Sequence, residues 1–183
     1  MLEYTTARTT KDLQDILDLQ WRNLPKNISQ KEAIEQGFVT VHHDFEILEA
    51  MNAVYPHVIA KMVDSVVGYT LVMLPEFGDK IPVLIPLFEK INQLTYRTKL
   101  MKSMRYFVMG QVCIDKKYRG QGVFNGLYEK MKTEMSIDFD CIVTEIATRN
   151  VRSMRAHEKV GFETVHTYST QEEEWAIVAW DWQ

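Results

Sequence analysis

Val112-Cys113-Ile114-Asp115-Lys116-Lys117-Tyr118-Arg119-Gly120-Gln121-Gly122-Val123-Phe124 is the stretch on which this chain turns. A β-rich run, Tyr106 to Ile114, ends there, and a basic turn with two glycines follows. Phe124, Leu127, Tyr128 and Met131 then fall on one face, which predicts a turn running into an amphipathic helix between Gly120 and Met135. Glycine admits backbone angles that other residues avoid, so consecutive N–H groups can converge on one point. The first turn of a helix adds unpaired N–H donors and the positive end of its dipole. Together they make a phosphate cradle, strengthened here by the charges of Lys116, Lys117 and Arg119. Read as residues alone, the stretch is either a solvated basic turn or a diphosphate site. A dinucleotide fingerprint needs GxGxxG, whereas these glycines fall at 120, 122 and 126, and a P-loop needs Gly-Lys followed by Ser or Thr.

Working outward, residues 2–7 read as a first strand. Thr9 and Asp12 form a capping pair ahead of a helix marked by Leu13, Ile16, Leu17, Trp21 and Leu24, which Pro25 stops. A second helical pattern covers 30–52, and strands follow at 57–63 and 66–74. The segment 75–103 opens with prolines and then places Leu87, Phe88, Ile91 and Leu94 at helical spacing. Downstream, Cys141–Ala147 reads as a strand, Val151–Lys159 as a short helix, and 162–169 and 174–182 as two closing strands. The result is one continuous domain over 1–183 of mixed α/β class.

The totals narrow the function. Apolar residues at 46% and charged residues at 25% describe a globular chain with one buried core, not a disordered one. A net charge of -4 offers no positive field for a nucleic-acid backbone. The start of the chain has no signal-peptide pattern, and the longest apolar patch, Ile81–Phe88, is interrupted by Pro82 and Pro86, so neither secretion nor a membrane span is expected. Two isolated cysteines, Cys113 and Cys141, make no disulfide framework and suit a reduced, cytoplasmic setting.

Arg119-Gly120-Gln121-Gly122-Val123 resembles the acetyl-CoA signature of the GNAT superfamily of N-acetyltransferases, with Phe124 departing from the small residue usual at the last position. A second stretch, Asn150-Val151-Arg152-Ser153-Met154-Arg155-Ala156-His157-Glu158-Lys159-Val160-Gly161-Phe162, resembles the later motif of the same family, in the same order and after a strand. The resemblance covers about 106–162; earlier residues match in element order only. It implies the GNAT fold, a twisted mixed sheet with helices on both faces and acetyl-CoA between its two middle parallel strands. It also implies transfer of the acetyl group to an amine through a tetrahedral intermediate. By the same token Val112, Cys113 and Ile114 would meet the pantetheine arm. Arg119, Gly120, Gln121, Gly122, Val123 and Phe124 would hold the diphosphate, with Asn150 and Ser153 contributing further down the chain. No metal is called for.

The family's frequent acid is a tyrosine seven residues after the motif asparagine, and His157 stands there; it donates a proton or simply packs. Glu145 occupies the place of the glutamate proposed as base in ribosomal-protein N-terminal acetyltransferases of the superfamily, or is a solvent-facing strand residue. Asp115 is a weaker candidate, better read as a strand-end residue. His42, His43 and Asp44 lack a third ligand at metal spacing and read as a helix surface. Cys113 reads as a core thiol rather than a nucleophile. The expected acceptor is a small-molecule or peptide amine: a metabolite, a polyamine or a protein N-terminus. The 75–105 insertion is expected to line its pocket. A non-catalytic coenzyme A-binding module and a carrier of longer acyl groups are the competing functions. The Trp-rich end, Trp175–Trp182, is either a core strand or a surface for pairing with a second subunit.

Overall fold

A computed structural model describes residues 1–39, 41–80, 84–171 and 173–182, with backbone alone for Ile34, Asp79 and Lys80. Part of the apolar run at 81–88 therefore lies outside the described residues. The first strand, β1 (Leu2–Thr6), leads into α1 (Thr10–Arg22) through the expected capping box: Asp12 N–H donates to Thr9 Oγ1 and Thr9 N–H to the Asp12 carboxylate, both at 3.1 Å. The buried stripe of α1 is Leu13, Ile16, Leu17 and Gln20. Trp21, expected on that stripe, lies one residue further round and is 49% exposed. Its ring lies under the Lys26 ammonium instead, at 4.2 Å.

The helix expected over 30–52 is two helices, α2 (Gln30–Gln36) and α3 (Phe45–Val54). Gly37 ends α2 at φ 78°, which a side chain would resist, and Asp44 sits at the head of α3. His42 and His43 consequently belong to the connection, not to a helix surface, and His43 is buried. Two strands follow, β2 (Val58–Met62) and β3 (Ser65–Met73). The insertion forms α4 (Ile85–Gln93) and a two-stranded hairpin, β4 (Thr95–Tyr96) and β5 (Lys99–Leu100). Then come β6 (Tyr106–Ile114), α5 (Val123–Met135), β7 (Cys141–Ala147), α6 (Val151–Val160), β8 (Glu163–Ser169) and β9 (Glu174–Asp181).

Seven strands are hydrogen-bonded in the order β1-β2-β3-β6-β7-β9-β8, with β6 and β7 parallel and β9 antiparallel to both β7 and β8. The mixed α/β sheet read from the sequence is the one observed. The residues fall into two compact units, Met1–Val72 with Gly110–Glu134, and Met73–Met109 with Met135–Gln183. In the first, Tyr69 and Leu71 of β3 join a core with Leu13, Ile16 and Leu17 of α1 and Leu48 of α3. The opposite face of β3 carries α5: a Cβ at Gly68 would stand 3.2 Å from Val123 Cγ1 and 3.4 Å from Leu127 Cδ1. In the second unit β9 runs between β7 and β8, so both of its edges are taken and its tryptophans belong to an interior strand. Phe107 packs edge-on against Phe139 at 4.9 Å and lies 5.9 Å from the Trp182 ring. No described helix is long and apolar enough to cross a membrane.

The helix α5 rests on β1 through one close approach. A Cβ on Gly126 would stand 2.1 Å from Cζ of Tyr4, which no small shift relieves. Gly126→Ala is therefore expected to lower stability by about 1–3 kcal/mol despite alanine's better helix propensity. In the Tyr4→Ala background the same change should cost much less, as a denaturant-unfolding double-mutant cycle would show.

Candidate active site

The turn after β6 is held from below by its own cations. Asp115 N–H donates to Val67 C=O at 2.8 Å, and the Asp115 carboxylate accepts from Lys117 N–H at 3.0 Å and from Arg22 at 2.9 Å. Asp115 is thus a turn-forming residue, in keeping with its position at the strand end. Arg119 donates through Nε to Ile114 C=O at 3.0 Å, through Nη2 to Asn23 Oδ1 at 2.6 Å and through Nη1 to Glu32 at 3.3 Å. Lys116 pairs with the other oxygen of Glu32 at 2.8 Å. These cations hold the Glu32 carboxyl below the usual range, the Lys116 hydrogen bond contributing most. Gln121 closes the loop by donating to Lys117 C=O at 2.7 Å.

Above this base, Gly120 and Gly122 adopt φ 75° and 80°, and a Cβ on either would meet no atom within 4 Å. The glycines are needed for backbone shape, and the space in front of them is open. Gly122 C=O accepts the Gly126 N–H at 3.0 Å, so Val123, Phe124 and Asn125 form the donor-rich first turn of α5. Phe124 turns aside to pack on Tyr128 at 4.9 Å. A side chain at either glycine would project into that open space.

Along β6, pairing with β7 covers Tyr106, Phe107 and Val108 only. In place of the next rung, the Thr144 hydroxyl donates to Met109 C=O at 2.9 Å. Because Asp115 N–H points to β3, alternation turns the N–H groups of Val112 and Ile114 to the other edge of the strand. Cys113 is buried, and desolvation pushes its thiol up to about 12, which removes it as a nucleophile near neutrality.

Sequence reasoning missed a buried polar network on this unit. Gln20 Oε1 accepts the His43 N–H at 3.0 Å, and its amide lies 3.1 Å from His43 Nδ1. Tyr69 donates to Gln111 at 2.5 Å, and Gln111 donates to Val41 C=O at 2.8 Å. Together they fix the connection ahead of α3. Burial pushes the His43 imidazole down to about 4, so it stays neutral there. The one signal in the sequence is a glutamine on the apolar stripe of α1.

In the second unit, Glu145 is half-buried on β7, and desolvation raises its carboxyl above the usual range against the lowering effect of one hydrogen bond from Tyr168. That bond is 2.6 Å, Tyr168 donating. The register explains it: Glu145 is opposite Ile177 and Ala147 opposite Trp175, which in turn faces Tyr168 on β8, so these side chains share a face. Lys90 of α4 sits 4.2 Å over the Tyr168 ring, and His166 lies parallel to it at 6.3 Å.

His157 is on the other side of this sheet. It lines a cavity of about 470 Å³ with Met154, Phe162, Thr164 and Val178, and Val178 is the β9 partner of Thr144, not of Glu145. The imidazole is buried, donates from Nδ1 to Ser153 C=O at 2.8 Å and meets the Phe162 ring edge-on at 5.0 Å. Desolvation pushes it down to about 4. The two residues expected to share the acid–base work are thus not brought to one face. Asn150 caps α6 by accepting the Ser153 N–H at 3.1 Å, which ties the two predicted downstream cofactor residues to each other.

No protein-family model matches the sequence, and no curated protein sequence matches it. Solved structures do match in fold. The ribosomal-protein-S18-alanine N-acetyltransferase from Escherichia coli aligns at TM-score 0.63 and 13% identity over 99% of this chain and 94% of its own. The yncA protein of Salmonella typhimurium, solved with its cofactor acetyl-CoA, aligns at 0.65 and 12% over 100% and 95%. A GNAT-family acetyltransferase from Streptococcus agalactiae aligns at 0.65 and 13% over 100% and 96%.

A lysine cannot reproduce the three-way fork of Arg119, and the side-chain oxygen of buried Asn23 would lose the donor it has from Arg119. Arg119→Lys should cost about 1–3 kcal/mol in denaturant unfolding, and a wild-type midpoint would show that the fork does not hold the turn.

Proposed function

We propose, from the fold of the GNAT acetyltransferases that this chain has, that residues 1–183 form one N-acetyltransferase domain using acetyl-CoA as donor and a primary amine as acceptor. The observation that carries this reading is the pair of left-handed glycines, Gly120 and Gly122, with open space before them and the first turn of α5 directly after. Backbone N–H groups of Gly120–Phe124 would take the diphosphate, and the edge of β6 turned away from β3 at Val112 and Ile114 the pantetheine arm. A neighbour of the same fold solved with acetyl-CoA supports the donor assignment. Bound there, acetyl-CoA supplies a thioester carbon to which an amine nitrogen bonds as the carbon–sulfur bond breaks.

Glu145 is the base in this reading. Its carboxylate takes the proton that the amine must lose, and Tyr168 orients it by donating to one oxygen. His157, neutral near pH 7 and tied to Ser153 C=O, packs α6 rather than serving as the acid. A coenzyme A thiolate, with an unperturbed pKa of about 8.5, leaves unprotonated or takes its proton from water.

The base requires its charged form, so the rate should rise with pH through the raised pKa of Glu145. Glu145→Gln should remove that limb and lower kcat/KM by about 10²–10⁴-fold in a thiol-release assay against an amine panel. Tyr168→Phe removes the bond that lowers the pKa, so the limb should move to higher pH. His157→Gln should keep most activity. Full activity in Glu145→Gln would overturn the base assignment, and loss in His157→Gln of the size expected for Glu145→Gln would restore the acid.

A further inference from the structure

Three arginines of the second unit sit in ion pairs. Arg97 pairs with Glu163 and Asp181, Arg105 with Asp140, and Arg149 with Glu173. Lys90 is different. Among the described residues no carboxylate pairs with it, and its ammonium is fixed 4.2 Å over the face of Tyr168. A lysine in the last turn of α4 is favoured by the helix dipole, which accounts for the residue type but not for its seat on that ring. The same tyrosine donates from its hydroxyl to Glu145. One aromatic ring therefore separates a carboxylate at its edge from an ammonium on its face.

That pairing is complementary to a molecule carrying opposite charges a short distance apart. An amine placed at Glu145 would have its neighbouring anionic group within reach of Lys90. A polyamine would bring a second positive charge against Lys90 and be repelled. We infer that Lys90 is a specificity residue for the acceptor, which is an amine bearing an anionic group close to its nitrogen, such as an α-amino acid with a free carboxylate. The inference rests on the reading of Glu145 as the acceptor-side base. It also gives a purpose to the insertion that carries α4, which delivers the charge that sorts acceptors.

Binding separates this inference from the reading beneath it. Glutamate, its diamide and spermidine would each be titrated calorimetrically into the wild type and Lys90→Glu, with circular dichroism as the folding control and thiol release measured in parallel. Glutamate should bind the wild type about tenfold or more tightly than either other probe, and Lys90→Glu should abolish that preference and improve spermidine. This pattern supports the inference whether or not acetyl transfer follows; transfer itself reports on the enzymatic reading. Equal binding of glutamate and its diamide, no glutamate binding, or a preference unchanged in folded Lys90→Glu would overturn it.

Discussion

The guanidinium of Arg119 directs its donors into the protein. One goes to the end of β6, one to the residue that terminates α1, and one to a carboxylate on α2. The turn above can then present two glycines in left-handed conformations, because its base is fixed at three points. Asn23 is the matching hub: it caps α1, accepts the Val39 N–H through its carbonyl and accepts Arg119 through its side chain. Glu32 accepts from both Arg119 and Lys116, so one carboxylate is shared between two cations at the base of the turn. The arginine of the motif thus acts through the shape of the loop.

In the second unit the two faces of the sheet hold Glu145 and His157 apart. Alternation along β7 sends Thr144 toward α6 and Glu145 toward Tyr168 and α4. His157 lies on the α6 side, where desolvation lowers its pKa, and Glu145 on the side facing Tyr168, where desolvation raises its pKa. The same physical cause shifts the two groups in opposite directions because it disfavours the charged form of each.

The elements legible in the sequence are those whose local signals agree with their surroundings: the capping box at Thr9, the turn at Gly120–Gly122, the short helix after Asn150 and the strands around them. Trp21 departs from its expected face because Gln20, polar in type, occupies the buried stripe, where His43 satisfies it. The break at Gly37 is hidden because apolar residues continue on both sides of it. Of the candidate site, the position of Glu145 on an otherwise uncharged strand and the left-handed glycine turn are legible from local pattern. Glu32, Tyr168 and Lys90 are not, since each joins its partner across a long stretch of chain. Such pairings depend on strand register and helix placement, which a single sequence does not display.

The proposed chemistry depends on the turn acting as a diphosphate cradle, and calorimetric titration of acetyl-CoA tests that most directly. Wild type should bind saturably, and a folded Gly122→Asp variant should lose that binding, since a carboxylate would enter the open space before the helix N-terminus. A folded wild-type protein that does not bind, or a variant that binds equally well, would contradict it.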